Sequence, residues 1–295
     1  MVQPCRSALL LTFLIQCAIF AYAADLSEAN AAYNRTDYQL SLRLLNKNSQ
    51  NPEELFLIGK NYYRLGTDDK DNYKTAADFF EKAANLNPNS AEYLLWLGKA
   101  WGRRAATTGF FAKPKSIGYA KKAKQYFEAA HALDPKNREA AWATFLYYLE
   151  APDLLGGGIG KAEKVAGEIA ALNTADGECA LALIYEERKN FPAAKEHWLV
   201  ATKIDPGNRD VAIQYAKFLR RRKDHEGAEN ILLGQMIGPT INPAASFELA
   251  GLYIDIGRKQ EAKEILLRYV DPALTKLTPD DEPVSEAKKM LDNVK

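Results

Sequence analysis

The chain has little cysteine, histidine or methionine, with three of each among its 295 residues. Two of the cysteines, Cys5 and Cys17, stand in the first 23 residues, which leaves Cys179 alone in the rest of the chain. One thiol cannot form an intramolecular disulfide, so stability must come from packing. The histidines, His131, His197 and His225, fall at no metal-ligand spacing with another His, Cys or Asp. Cys-x2-Cys, His-Glu-x2-His and Gly-x-Ser-x-Gly are all missing. The sequence therefore predicts no metal site, no cofactor and no catalytic residues, and the chain reads as non-enzymatic. An excess of one charge sign is also lacking: 39 Lys and Arg face 38 Asp and Glu, a formal charge of +1. That balance excludes a general binder of nucleic acid or of membrane surfaces. What is present, 47% hydrophobic and 26% charged residues, is the composition of a globular chain and excludes disorder or a collagen-like repeat.

The first 23 residues read as an export signal. Arg6 is the only charge before Asp25, Ala8 to Phe20 is a nearly continuous apolar run, and Ala21-Tyr22-Ala23 supplies the small residues that a signal peptidase cuts after. The run is short for a spanning helix, which needs roughly 20 apolar residues. Cleavage there leaves no membrane span and, with Arg6 gone, a formal charge of zero on 38 basic and 38 acidic residues. Two alternatives anchor the protein instead: an uncleaved signal, or a lipid on Cys17. The local Leu14-Ile15-Gln16-Cys17 resembles a lipobox but has Gln16 where a small residue belongs.

An internal period decides the rest. Ala76-x3-Phe80-x2-Ala83-x4-Pro88 recurs as Ala123-x3-Phe127-x2-Ala130-x4-Pro135 and as Ala194-x3-Trp198-x2-Ala201-x4-Pro206. Weaker copies start at Ala162, Ala228 and Ala262, and a degenerate one at Ser41. A second pattern precedes these: Ile58-Gly59-x2-Tyr62, Leu97-Gly98-x2-Trp101, Leu181-Ala182-x2-Tyr185, Tyr215-Ala216-x2-Leu219 and Leu249-Ala250-x2-Tyr253. Ala194, Ala228 and Ala262 are spaced 34 residues apart. These residues resemble the tetratricopeptide repeat, a helix–turn–helix unit with a small residue on the first helix and an Ala-x3-Phe pattern on the second. The resemblance covers nearly the whole chain beyond the signal. It implies an all-α fold, a right-handed superhelix of about seven antiparallel hairpins over residues 24–274, then a linker and capping helix over 275–295. In the cap, Val284, Ala287, Leu291 and Val294 share one helical face.

Two repeats are longer than the template. Five extra residues fall near 67–72 and thirteen near 103–116, the second insert carrying Phe110 and Phe111. That aromatic pair is either tucked onto the array or offered to a partner. A glycine-rich loop over 151–160 joins the helices of the most divergent repeat, and its Pro-x-Leu-Leu-Gly-Gly string is similar to one found in exported bacterial tetratricopeptide proteins. It is not a phosphate loop: Leu155 stands where the first glycine belongs and Ala162 where a hydroxyl would hold magnesium.

The family resemblance places the first helix of each repeat on the concave surface, with residues one and five beyond the small position pointing inward. Those positions hold Lys60 and Arg64, Lys99 and Arg103, and Lys217 and Arg221, so Lys-x3-Arg occurs three times at one register. Leu183 and Glu187 interrupt the series. The pattern is similar to the carboxylate clamp of chaperone-binding tetratricopeptide domains, but those clamps also use asparagines, and only Asn61 is near. Either the cations form a basic wall for an acidic peptide, or they are a solvated, salt-bridged helix face. The expected function is an exported, bacterial periplasmic scaffold that binds a protein or an acidic peptide, with envelope assembly or secretion, of polysaccharide or outer-membrane proteins, as the alternative.

Overall fold

Asparagine, serine and proline punctuate the chain into helices. Second helices end before Asn87-Pro88, Asp134-Pro135 and Asp205-Pro206, where proline cannot continue the backbone hydrogen bonding. Two residues beyond each proline, Ser90, Asn137 and Asn208 cap the next helix, their side chains accepting from Tyr93 N, Ala140 N and Val211 N. Asn51, Asn173 and Asn242 cap three more first helices in the same way.

The computed structural model describes residues 26–108, 114–237 and 242–294. Among these there are helices and no strands. Residues 26–34 form α1, followed by α2 (Tyr38–Leu44), α3 (Pro52–Leu65), α4 (Asn72–Leu86), α5 (Ala91–Thr107), α6 (Pro114–Leu133), α7 (Arg138–Glu150), α8 (Ile159–Leu172), α9 (Thr174–Glu187), α10 (Phe191–Ile204), α11 (Arg209–Arg221), α12 (His225–Gly234), α13 (Pro243–Asp255), α14 (Lys259–Val270) and α15 (Val284–Asn293). From α3 onward, odd helices pair with the even helix that follows, each pair packs on the next, and consecutive odd helices touch at α3–α5, α5–α7, α7–α9 and α11–α13. This is the stacked-hairpin solenoid that the period implies.

The small and large positions of the repeat meet inside the hairpins of α3–α4 and α5–α6. A Cβ on Gly59 would sit 2.5 Å from the Phe80 ring, and one on Gly98 would sit 2.6 Å from Phe127. Glycine is there because the ring occupies the space of any side chain. Ala76, Ala194, Ala228 and Ala262 are fully buried, as are Phe80 and Trp198. Each such aromatic removes enough apolar surface from water to contribute a few kcal/mol.

The inserts are accommodated differently from one another. Residues 66–71 form a turn between α3 and α4. The second insert is helical at its described ends: Arg103–Thr107 extend α5, where Ala105 and Ala106 favour helix, and Pro114 opens α6 at a first-turn position that proline tolerates. Phe110 and Phe111 lie outside the described residues. In the glycine-rich segment, Asp153–Leu155 make a 3-10 turn, and Gly156 and Gly158 adopt φ of 83° and 132°, conformations that side chains disfavour. Helix α8 then starts at Ile159. At the far end, α15 buries Ala287 and Val294 against the last hairpins.

Candidate functional site

The first helices carry every cation of the Lys-x3-Arg series, but the structure puts them in two different surroundings. Helices α3 and α5 are adjacent and bring Lys60, Arg64, Lys99 and Arg103 together. Lys217 and Arg221 are on α11, which packs on α10, α12 and α13 instead.

The α3–α5 cluster is built on aromatic rings. The Lys60 ammonium lies 4.9 Å from the centre of the Tyr33 ring and 5.0 Å from that of Phe56. The Arg64 guanidinium lies over Trp96 at 5.5 Å and over Tyr63 at 5.9 Å, and its Nε donates to the Tyr33 hydroxyl at 3.4 Å. Lys99 also stands over Trp96, at 4.6 Å, and pairs with Glu139 of α7. Arg103 Nε donates to the Tyr63 hydroxyl at 3.3 Å and has no carboxylate in contact among the described residues. Cations over ring faces keep their charge while shedding part of their water, which raises their value to an incoming anion. Burial lowers the pKa of Lys60, and burial pushes Tyr38, at the edge of the cluster, up to about 12. Tyr33 is raised for the same reason.

The α11 cations are tied to carboxylates on neighbouring first helices. Lys217 Nζ meets Glu248 at 2.9 Å and Arg221 Nη2 meets Glu186 at 2.7 Å. Arg220, next to them, bridges Glu248 at 3.3 Å and Asp255 at 2.6 Å. Glu186 belongs to α9, and Glu248 and Asp255 belong to α13, so these pairs cross-link three successive first helices. Around α11 the cations thus lie in a salt-bridged helix face.

Beyond Arg103 the surface sinks into a cavity of about 680 Å³ between α5, α6 and α7, mostly apolar, whose lining includes Tyr63, Lys99, Arg103, Phe127, Trp142 and Leu146. Apart from Phe127, a template position, sequence reasoning does not single out its aromatic residues, or the floor formed by Tyr33 and Trp96. Tyr63 and Trp96 lie four after Gly59 and two before Gly98, within the repeat template, where a large residue reads as packing alone. Asn61, the one asparagine offered for a clamp, does not face the cluster. It is fully buried and donates to Ser41 Oγ at 2.9 Å and to Leu57 O at 2.8 Å, which fastens α3 to α2.

Two of the histidines lie against carboxylates of other helices. His131 Nε2 lies 2.6 Å from Glu168 Oε2, and His197 Nδ1 lies 2.6 Å from Glu178 Oε2. Among the described residues no group of three or more His, Cys, Asp or Glu side chains could hold a metal ion, and no helix is long and apolar enough to cross a membrane. Burial pushes the Cys179 thiol up to about 12, so it stays protonated at neutral pH.

No protein-family model and no curated protein sequence matches the chain. Solved structures do resemble it. A tetratricopeptide repeat protein from Parabacteroides merdae aligns over 93% of this chain and 98% of its own, at 13% identity and a TM-score of 0.54. A thermophilic TPR protein of Thermus thermophilus aligns over 67% of this chain and 98% of its own, at 21% identity and a TM-score of 0.52. At these identities the likeness concerns the fold: the chain has the tetratricopeptide solenoid architecture.

Proposed function

We propose that the protein is a non-catalytic interaction scaffold whose N-terminal first helices hold an extended acidic segment of a partner protein. The observation that carries this reading is the four-cation cluster of Lys60, Arg64, Lys99 and Arg103 mounted on Tyr33, Tyr63 and Trp96, with Arg103 free of any carboxylate partner among the described residues. Carboxylates approaching such a surface gain charge-assisted hydrogen bonds, and the adjoining apolar cavity accepts a bulky side chain next to them. Lys217 and Arg221 stay outside the site, because their charges are already satisfied within the fold.

The test is quantitative capture from an extract of the source cell on immobilised wild type and on Arg64→Glu/Arg103→Glu. A discrete acidic protein retained by the first and lost from the second is the expected result. Retention should also fall with added salt, which screens exposed charges over about 10 Å at 0.1 M. Equal retention by both proteins would move the contact elsewhere, to Phe110 and Phe111 first.

The compartment belongs to the same proposal. Residues 1–23 export the chain to a bacterial periplasm, on the strength of the apolar run and the Ala21-Tyr22-Ala23 site. Mass spectrometry of the exported protein should find Ala24 at the N-terminus, whereas acylated Cys17 would make it an anchored lipoprotein.

A further inference from the structure

The basic cluster is already in contact with an acidic segment, and that segment is the chain's own. Asp280, in the linker between α14 and α15, places Oδ1 2.8 Å from Arg64 Nη2, a contact between residues 216 apart in sequence. The linker reads Thr278-Pro279-Asp280-Asp281-Glu282-Pro283, three carboxylates between two prolines. Its position does not depend on the Arg64 contact. Thr278 N and Oγ1 both donate to Asp281 Oδ2, at 2.7 and 2.9 Å, the Tyr269 hydroxyl donates to Glu282 O at 2.6 Å, and Leu277 packs on the cluster formed by α13, α14 and α15. The last hairpin therefore presents the acidic strap to α3 from a fixed base. The contact is this one pair, and the field of the neighbouring acids reaches weakly beyond it. Tyr38 is raised first by burial, with smaller contributions from Asp280 and Asp281, and Arg103 is held charged chiefly by Tyr63, with a smaller contribution from Glu282.

We propose that the Asp280–Glu282 strap is a resident competitor for the α3–α5 groove, so that an acidic partner must displace it, and that the partner segment shares its chemistry, clustered Asp and Glu in a proline-stiffened extended stretch. This rests on the groove being the binding surface. Two features make the strap a competitor and not a permanent lock. The Asp280 side chain is 92% exposed while the Arg64 side chain is 21% exposed, so the ion pair is screened and weak. Tethering compensates, because the base on the last hairpin keeps the strap beside Arg64. An external ligand then binds with an apparent affinity reduced by the fraction of time the groove is open.

The experiment uses the whole chain and a fluorescein-labelled nonapeptide copied from residues 276–284 as the probe. The variant Asp280→Asn/Glu282→Gln removes the charge that contacts Arg64 and the one whose field reaches Arg103. It keeps the Asp281 turn and the Tyr269 anchor, so circular dichroism should not change. The expected result is a probe affinity about threefold or more tighter for this variant than for wild type, a gain set by the share of wild-type chains whose strap is docked. Adding Arg64→Glu/Arg103→Glu should abolish binding in both backgrounds. Unchanged affinity in the strap variant, with loss on arginine reversal, would overturn the competitor and leave the groove standing. Probe binding that survives arginine reversal would overturn the groove reading, and the competitor with it. No binding of the probe even to the strap variant would overturn the shared chemistry, and partner capture would then judge the groove on its own.

Discussion

The same Lys-x3-Arg pattern, at the same register of a first helix, does different work at the two ends of this molecule. On α11 it is a structural tie: Glu186, Glu248 and Asp255 from flanking helices take up Lys217, Arg220 and Arg221. On α3 and α5 it rests on aromatic rings, and among the described residues Glu139 and the distant Asp280 are the only carboxylates paired with it. The cations are alike, and the neighbouring helices are not. A repeated basic motif is therefore left partly unpaired only where the adjacent repeats offer fewer carboxylates.

The comparison can be broken most forcefully at the floors of the two halves. Trp96 packs against Phe56, Tyr63 and Phe80, and Trp198 fills the hairpin of α9 and α10, where its Nε1 donates to Glu186 Oε1 at 3.0 Å. Each replacement by alanine should cost about 3–5 kcal/mol in urea unfolding. Only Trp96→Ala should also disturb peptide binding, because only it underlies Arg64 and Lys99.

A smaller loss is expected from overfilling either half. Gly59→Ala forces a methyl onto the Phe80 ring, and Ala194→Leu forces an isobutyl group into a fully buried site. Each should destabilise by about 1–3 kcal/mol, read from the same unfolding curves. A change near zero would mean that the hairpin helices do not approach as closely as described.

The ion pairs should show the next difference. Glu248→Gln removes the shared partner of Lys217 and Arg220 and should lower stability by roughly 1 kcal/mol, an effect that shrinks in high salt. Glu139→Gln removes the partner of Lys99, which still has the Trp96 face, and the stability change should be smaller. Its main effect should be to strengthen binding of the acidic probe, as a fluorescence titration would show.

The smallest effects are in the pH dependence, and they have opposite signs. Tyr38, at the N-terminal end, has its folded pKa raised from 10.0 to about 12 by burial. Its contribution is fully present below about pH 10 and is lost as pH rises toward 12, because the unfolded phenol ionises first. Glu229, at the C-terminal end, is depressed by its hydrogen bonds from Tyr253 and Arg258. Its contribution is present above the ordinary carboxylate range and fades as pH falls through it. Hydrogen exchange should find the α12–α14 region loosening first in acid, whereas in alkali both ends loosen, since burial also pushes Tyr253 of α13 up to about 12 and raises Tyr269 of α14.

The hairpins are legible in sequence because their defining contacts are local. Gly59 meets Phe80 and Gly98 meets Phe127 within single repeats, so the small-residue and Ala-x3-aromatic patterns carry the geometry with them even where an insert lengthens the repeat. The candidate site is half legible for the same reason. The register of Lys60, Arg64, Lys99 and Arg103 follows from helix periodicity, but which carboxylate each cation meets depends on how far one repeat is rotated against the next. Arg221 finds Glu186 from 35 residues away and Arg64 finds Asp280 from 216. No spacing rule within one repeat contains either distance. Asn61 shows the opposite failure: one position after an inward-facing lysine, it reads in sequence as near the groove, whereas a step of one along a helix turns it into the core.

The most direct measurement compares neutralised pairs at equivalent positions. Affinity for the 276–284 peptide would be titrated at low salt for wild type, Arg64→Gln/Arg103→Gln and Lys217→Gln/Arg221→Gln, each checked for helicity. If neighbours decide what the motif does, the first double variant loses most of its affinity and the second keeps it within about twofold, since its cations were never free to bind. Equal losses in the two variants, or a larger loss from the α11 pair, would contradict the account.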